Sequence, residues 1–141
     1  MRGACLCGGV QFEVTEPFST ISFCHCTTCK KISGGTGTVY GLARSEAIRI
    51  LQGAELVRTF QPHEGTAKTF CAACGSNLFG AGWPESERPS VRLTALDEPP
   101  EQRPEAHTYV RSVAPWETLP DDGLDRFEVG RPEEEVLAEP S

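Results

Sequence analysis

Residues 23–31 read FCHCTTCKK and place three cysteines, Cys24, Cys26 and Cys29, within six positions. Thiols this closely spaced read as metal ligands rather than core residues. Three is an awkward number, since a closed zinc site takes four ligands and disulfides take cysteines in pairs. The architecture therefore turns on the chain's four other sulfurs. Cys5 and Cys7 form C-x-C followed by Gly8-Gly9, and Cys71 and Cys74 form C-x-x-C followed by Gly75. A glycine directly after the last cysteine permits the positive φ that a metal-wrapping turn often needs. Joined, these two groups give a tetrahedral four-thiolate zinc site that clamps the start of the chain to its middle.

Cys24, Cys26 and Cys29 then hold a second zinc with three protein ligands. An open fourth position distinguishes catalytic from structural zinc, and water or a substrate atom would fill it. Two other arrangements stand beside this one. The second site is closed if His25, His63, His107 or Asp97 completes it. Alternatively, Cys26 and Cys29 pair with Cys71 and Cys74, which strands Cys24 and leaves Cys5 and Cys7 as a lone pair.

Seven cysteines cannot all be paired in disulfides. No apolar run at the start resembles an export signal, and none later is long enough to span a bilayer. The expectation is a cytoplasmic protein in a reducing compartment, with thiols engaged by metal. At 141 residues the chain suits a single domain. Residues 1–96 carry 9 Lys/Arg against 7 Asp/Glu, whereas residues 97–141 carry 4 against 13. Such a balance lacks the basic footprint of a nucleic-acid binder. The expected division is a domain over residues 1–129 and an acidic, flexible tail over 130–141.

Hydrophobic periodicity points to short strands. VQFEV (10–14) puts Val10, Phe12 and Val14 on one face with Gln11 and Glu13 on the other. AIRIL (47–51), LVRTF (56–60), SVRLTAL (90–96) and HTYVRSV (107–113) read the same way. GGTGT (34–38) and PHEG (62–65) are turns, and one helical turn follows Cys26 through TTCKKIS. The fold class is mainly β, a small antiparallel sheet structure with little helix.

Zinc already bound by sulfur accepts further sulfur readily and deprotonates a bound thiol, so a small thiol is the natural guest of an open site. Lys30 and Lys31, directly after Cys29, are candidates to meet a carboxylate of that guest. Trp83 and Trp116 read as core or edge packing, with APWE a candidate pocket wall, and Asp121-Asp122 as a turn.

GACLCGGVQFEV, CHCTTCKKISGG, KTFCAACGSNLF and the downstream TALDEPPEQRPEAHTYVRSVAPWETL follow in the order seen in the glutathione-dependent formaldehyde-activating enzyme family, whose domain also occurs in centromere protein V. The resemblance covers residues 3–128. It implies a β-sheet zinc fold similar to that of Rab exchange-factor accessory proteins. It also implies a structural zinc on Cys5, Cys7, Cys71 and Cys74 and a catalytic zinc on Cys24, Cys26 and Cys29. The implied activity is that of a carbon–sulfur lyase joining formaldehyde to the thiol of glutathione, with both as partners. The alternative is a non-catalytic, zinc-stabilised binding or glutathione-carrier module. Family members commonly carry arginine where this chain has Lys30, and lysine lacks the bidentate fork.

Overall fold

A computed structural model describes residues 1–132 of the chain. Two sheets pack face to face. The smaller is antiparallel and consists of β1 (Arg2–Ala4), β2 (Gln11–Val14) and β5 (Ile48–Gln52), with β2 in the centre. The larger has eight strands among the described residues: β3 (Thr20–Cys24), β4 (Thr38–Leu42), β6 (Val57–Phe60), β7 (Lys68–Cys71), β8 (Asn77–Gly80), β9 (Ser90–Arg92), β10 (Ala106–Thr108) and β11 (Asp125–Arg126). Their order across the sheet is β11-β10-β3-β4-β9-β8-β7-β6. Among the described residues there is a single α-helix, α1 (Thr27–Ser33), which follows β3.

The mainly β expectation holds, with one amendment to the strand sense. β10 pairs in parallel with both β3 and β11, while the other strand pairs are antiparallel. Two expected strands are also shorter than their sequence patterns. HTYVRSV stops pairing at Thr108 because Tyr109 takes a left-handed conformation (φ 56°, ψ 41°) and a 3-10 turn follows over Val110–Ser112. SVRLTAL likewise gives way after Arg92 to a 3-10 turn over Leu93–Ala95.

The larger sheet has two unlike faces, set by period-two alternation. Ile21, Val91 and Phe79 point toward the smaller sheet and are buried against Val10, Phe12 and Val14. Phe12 of β2 meets Phe79 of β8 edge to face, with ring centroids 5.0 Å apart, joining the two layers. The intervening residues make a second, polar face. The β3–β4 and β4–β9 registers pair Ser22 with Tyr40 and Tyr40 with Arg92, and Thr20 with Leu42 and Leu42 with Ser90. Thr20, Ser22, Ser90 and Arg92 are all buried on that face. Polar residues are normally buried only with partners. Arg131 supplies one: it donates to Thr20 Oγ1, to Ser22 Oγ at 3.5 Å and to Glu105 at 3.2 Å.

Arg131 falls in the stretch expected as an acidic tail, yet its side chain is docked on the sheet. The rest of that stretch, from residue 133 on, lies outside the described residues. Among the described residues no helix is long and apolar enough to cross a membrane.

Candidate metal centres and cleft

The loop after β1 carries Cys5 and Cys7; Cys71 ends β7, and the turn after it carries Cys74. All four sulfurs lie within 4.8 Å of one another. Cys5 and Cys7 Sγ are 3.5 Å apart, and Cys7 and Cys71 Sγ are 4.0 Å apart. Four thiolates at ordinary zinc–sulfur lengths around a tetrahedral ion stand about 3.8 Å apart, so the donor set fits zinc. Gly8 and Gly75 both adopt the positive φ that their place after a cysteine suggested (76° and 80°). The two loops are also stitched together: the Leu6 amide donates to Ser76 Oγ at 2.8 Å, and the Ser76 hydroxyl and amide hold the Cys74 thiol down at about 5.

Cys24, Cys26 and Cys29 form the second cluster, their sulfurs again within 4.8 Å of one another. Cys24 ends β3, and Cys26, two positions on, turns its sulfur to the same side. Cys26 is also the N-cap of α1, with Sγ accepting from the Cys29 amide at 3.3 Å, and Gly34 closes the helix in a left-handed cap. A helix this short gains little from its own hydrogen bonds; the cap and the buried Cys29 anchor it. Cys29 and Cys24 are shifted in opposite directions. Hydrogen bonds from Cys24 and then Cys26 pull Cys29 well below an ordinary thiol, aided by Thr38 and the charge of Arg92, whereas Cys26 first, Cys29 second and burial third push Cys24 well above. Full deprotonation of the trio needs a cation, and three converging sulfurs suit zinc.

No fourth His, Cys, Asp or Glu among the described residues joins this group. His25 points away from the sulfurs, its ring nitrogens facing His107 Nδ1 at 2.9 Å and the Thr36 carbonyl at 3.3 Å. His107 Nε2 continues the chain to Asp122 Oδ2 at 2.7 Å. Burial holds His25 below the ordinary histidine range, while the hydrogen bond from His107 holds Asp122 below the ordinary carboxylate range.

The trio opens onto a cleft of ≈ 630 Å³ floored by the polar face of the larger sheet. Among the described residues, Lys68, Arg88, Arg92, Arg111 and Arg131 line it, with Glu64 as the one carboxylate. Burial first, and the neighbouring Arg92 second, depress the Lys68 ammonium. Arg92 is 3% exposed, and its guanidinium lies over Gly80, where a Cβ would come within 2.7 Å of Nη2. Ala81 and Tyr109 line the same cleft, and they are the non-glycine residues with positive φ among those described. Strained backbone of this kind concentrates at functional sites. A roomier hollow, ≈ 780 Å³, lies against His25 and Cys5, but the three-sulfur cluster does not line it.

Lys30 and Lys31 stand elsewhere. Lys30 Nζ donates to the Ser112 carbonyl, Lys31 is exposed, and neither lines the cleft. Successive helical residues are rotated by about 100°, which turns Lys30 toward the Ser112 carbonyl and leaves Lys31 in solvent. The cations that do line the cleft come from β7, β9 and the loops. Arg92 was legible as the alternate of buried Val91 in SVR, whereas Lys68, Arg88, Arg111 and Arg131 carried no motif. Trp83 packs on Phe79 with centroids 4.7 Å apart, and Trp116 is 86% exposed and not part of the cleft wall.

Comparison with known proteins places this geometry. The chain is 30% identical over 146 residues to a Halomonas elongata protein named "Putative glutathione-dependent formaldehyde-activating enzyme", covering 96% of this chain and 91% of that one. Its fold resembles the crystal structure of a Rhodobacter sphaeroides protein, with a TM-score of 0.58 at 23% identity over 90% of this chain and 99% of the other. Residues 1–112, which contain both sulfur clusters, match the model of one family: the chain belongs to the glutathione-dependent formaldehyde-activating enzymes.

Proposed function

We propose that the protein is a zinc-dependent carbon–sulfur lyase that joins a small anionic thiol, glutathione or a close analogue, to formaldehyde. The observation that carries this reading is the position of the three-sulfur cluster in the wall of a cleft to which the described residues contribute five cationic side chains and one carboxylate. Glutathione presents two carboxylates, one ammonium and a thiol, so its charges complement that lining. Cys5, Cys7, Cys71 and Cys74 would hold a structural zinc, and Cys24, Cys26 and Cys29 a catalytic one. When bound at the trio, zinc lowers the pKa of a coordinated thiol so that it is thiolate at neutral pH.

The protein's own residues then bind and orient. Arg92 and Arg111 take the carboxylates, and Glu64 takes the amino group. The sulfur lone pair forms a bond to the formaldehyde carbon, and the carbonyl π pair moves to oxygen. The oxygen takes a proton from the Lys68 ammonium, which burial makes more acidic. The proton lost by the thiol restores the balance, and the reverse sequence is the lyase direction. Seven free cysteines suit a reducing compartment, so we place the reaction in the cytoplasm.

Exchange between free and S-hydroxymethyl glutathione, followed by two-dimensional NMR on the metal-replete protein, tests this. The expected result is faster exchange than in buffer, lost in Cys26→Ser and absent with cysteamine, a thiol without carboxylates. Binding of glutathione with no gain in exchange would leave a carrier and remove the enzyme.

A further inference from the structure

We propose that His107 and Asp122 are positioning residues for the three-sulfur centre, acting through His25; this rests on the reading of that centre as a metal site. Cys24 and Cys26 flank His25 in an extended segment between β3 and α1, so their sulfurs face the cleft and the imidazole faces the opposite way. The angle at which both sulfurs enter the cleft is the rotation of this segment about its own axis. Its backbone fixes one side of it, with the His25 amide donating to the Thr108 carbonyl at 3.0 Å. The His25 side chain fixes the other.

That side chain is 6% exposed and His107 is 3% exposed, so neither ring exchanges its partners for water. His107 lies between β3 and β11, stacked on Phe23 with centroids 5.0 Å apart and on His25 with centroids 5.1 Å apart. Asp122 is fixed in turn, its Oδ1 accepting from the Leu124 amide at 3.1 Å. With one proton on each ring, two ring protons serve three contacts. The 2.7 Å contact to the carboxylate claims one of them for His107 Nε2, in preference to the 3.3 Å contact between His25 Nδ1 and the Thr36 carbonyl. His107 Nδ1 is then an acceptor, and His25 Nε2 donates to it. Asp122 thus sets the direction of the whole chain and the orientation of the ring between the two cysteines.

Groups that orient ligands from outside the coordination sphere are typically worth about 10–100-fold in metal affinity. The test is a metal titration of the full chain against a chromogenic chelator. It resolves a first equivalent at the four-sulfur site, which serves as internal control, and a second at the trio. Asp122→Ala and His107→Phe, the latter keeping the stack on Phe23, are expected to weaken the second equivalent about tenfold or more and leave the first unchanged. Asp122→Asn keeps its oxygen on the Leu124 amide and turns its NH2 toward His107 Nε2, which reverses the direction of the chain, so it is expected to weaken the second equivalent as Asp122→Ala does. With cobalt, the sulfur-to-metal charge-transfer band of the second equivalent should shift in Asp122→Ala, while that of the first stays in place. Wild-type affinity for the second equivalent in both variants overturns the inference. Parallel weakening of both equivalents also overturns it, since the chain would then support only the fold. A wild-type protein that takes up one equivalent alone overturns the proposed metal centre, and this inference with it.

Discussion

Cys26 caps the helix that carries Cys29: its sulfur stands 3.3 Å from the Cys29 amide nitrogen. One side chain therefore sets the start of α1 and supplies a sulfur to the cluster. Serine is among the best N-cap residues, so Cys26→Ser separates the two roles. The expected outcome is a folded protein with urea stability close to wild type, one metal equivalent instead of two, and no thiol–aldehyde exchange. Cys26→Ala also loses the cap and should cost about 1 kcal/mol more. A serine variant that keeps two equivalents and full exchange would remove Cys26 from the site.

Gly80 makes room for the cleft's buried arginine. A methyl group there would lie 2.7 Å from Arg92 Nη2 and 2.9 Å from Ser90 Oγ, so the guanidinium must shift from its place over Gly80 into the cleft that it lines. Hydrogen bonds to charged groups are worth about 1.5–3 kcal/mol, which corresponds to roughly tenfold or more in binding. Gly80→Ala is thus expected to raise KM for glutathione by about that factor, with a smaller change in kcat. An unchanged KM would mean that Arg92 does not hold the thiol substrate.

The sulfur clusters were the most legible part of the molecule, because thiol spacing and the glycines after Cys7 and Cys74 are local features with a local physical cause. The β class was legible for the same reason in VQFEV, where alternation is uninterrupted. The cleft was not. Lys30 and Lys31 attracted the assignment by adjacency, but adjacency on a helix means a rotation away. Lys68, Arg88, Arg111 and Arg131 meet only because β7, β9 and the C-terminal segment converge in the folded sheet. His107 reads in the sequence as a spare metal ligand, but the three-sulfur group does not include it, and Asp122 reads as a turn residue, which its contact with the Leu124 amide supports. Their partner lies some eighty residues from His107 in sequence, across the parallel β3–β10 pairing that the strand patterns did not reveal.

Glu16 ties the β2–β3 connection to the end of β4. Its carboxylate receives Arg44 Nη2 at 2.6 Å, Nε at 3.0 Å and the Arg44 amide at 3.0 Å. The Arg44 side chain, then its amide, hold Glu16 below the ordinary 4.5. A carboxylate lowered in the folded state stabilises above its unfolded pKa, and that contribution is lost as pH falls through the folded value. Glu16→Gln should therefore cost about 0.5–1 kcal/mol in urea unfolding at pH 7, since the pair is partly exposed. The difference from wild type should shrink progressively below pH 4.5. A difference that is constant across that range would assign the effect to packing instead of charge.

Gly37 holds the extended segment that carries Cys24 and Cys26 from the side of the following loop. Its φ is +147°, a region that side chains rarely enter, and an added Cβ would lie 2.1 Å from the Cys24 carbonyl oxygen. Backbone cannot yield as a flexible side chain would, so Gly37→Ala must displace either the loop or the Cys24–His25 peptide. A strained φ alone costs about 1–3 kcal/mol. The displacement also reaches the neighbouring Thr36 carbonyl, which the Nδ1 side of the His25 ring faces. The expected result is a loss of stability in that range together with weakened uptake of the second metal equivalent and unchanged uptake of the first. Gly35→Ala is the matched control, because its nearest neighbour, Ser33 Oγ, is at 3.7 Å and its φ is not positive. Excess zinc should restore part of the lost stability in Gly37→Ala, since binding to the folded state alone shifts the unfolding equilibrium by mass action. If both glycine variants titrate like wild type, the loop does not set the sulfur geometry, and the placement of Cys24 rests on β3 alone.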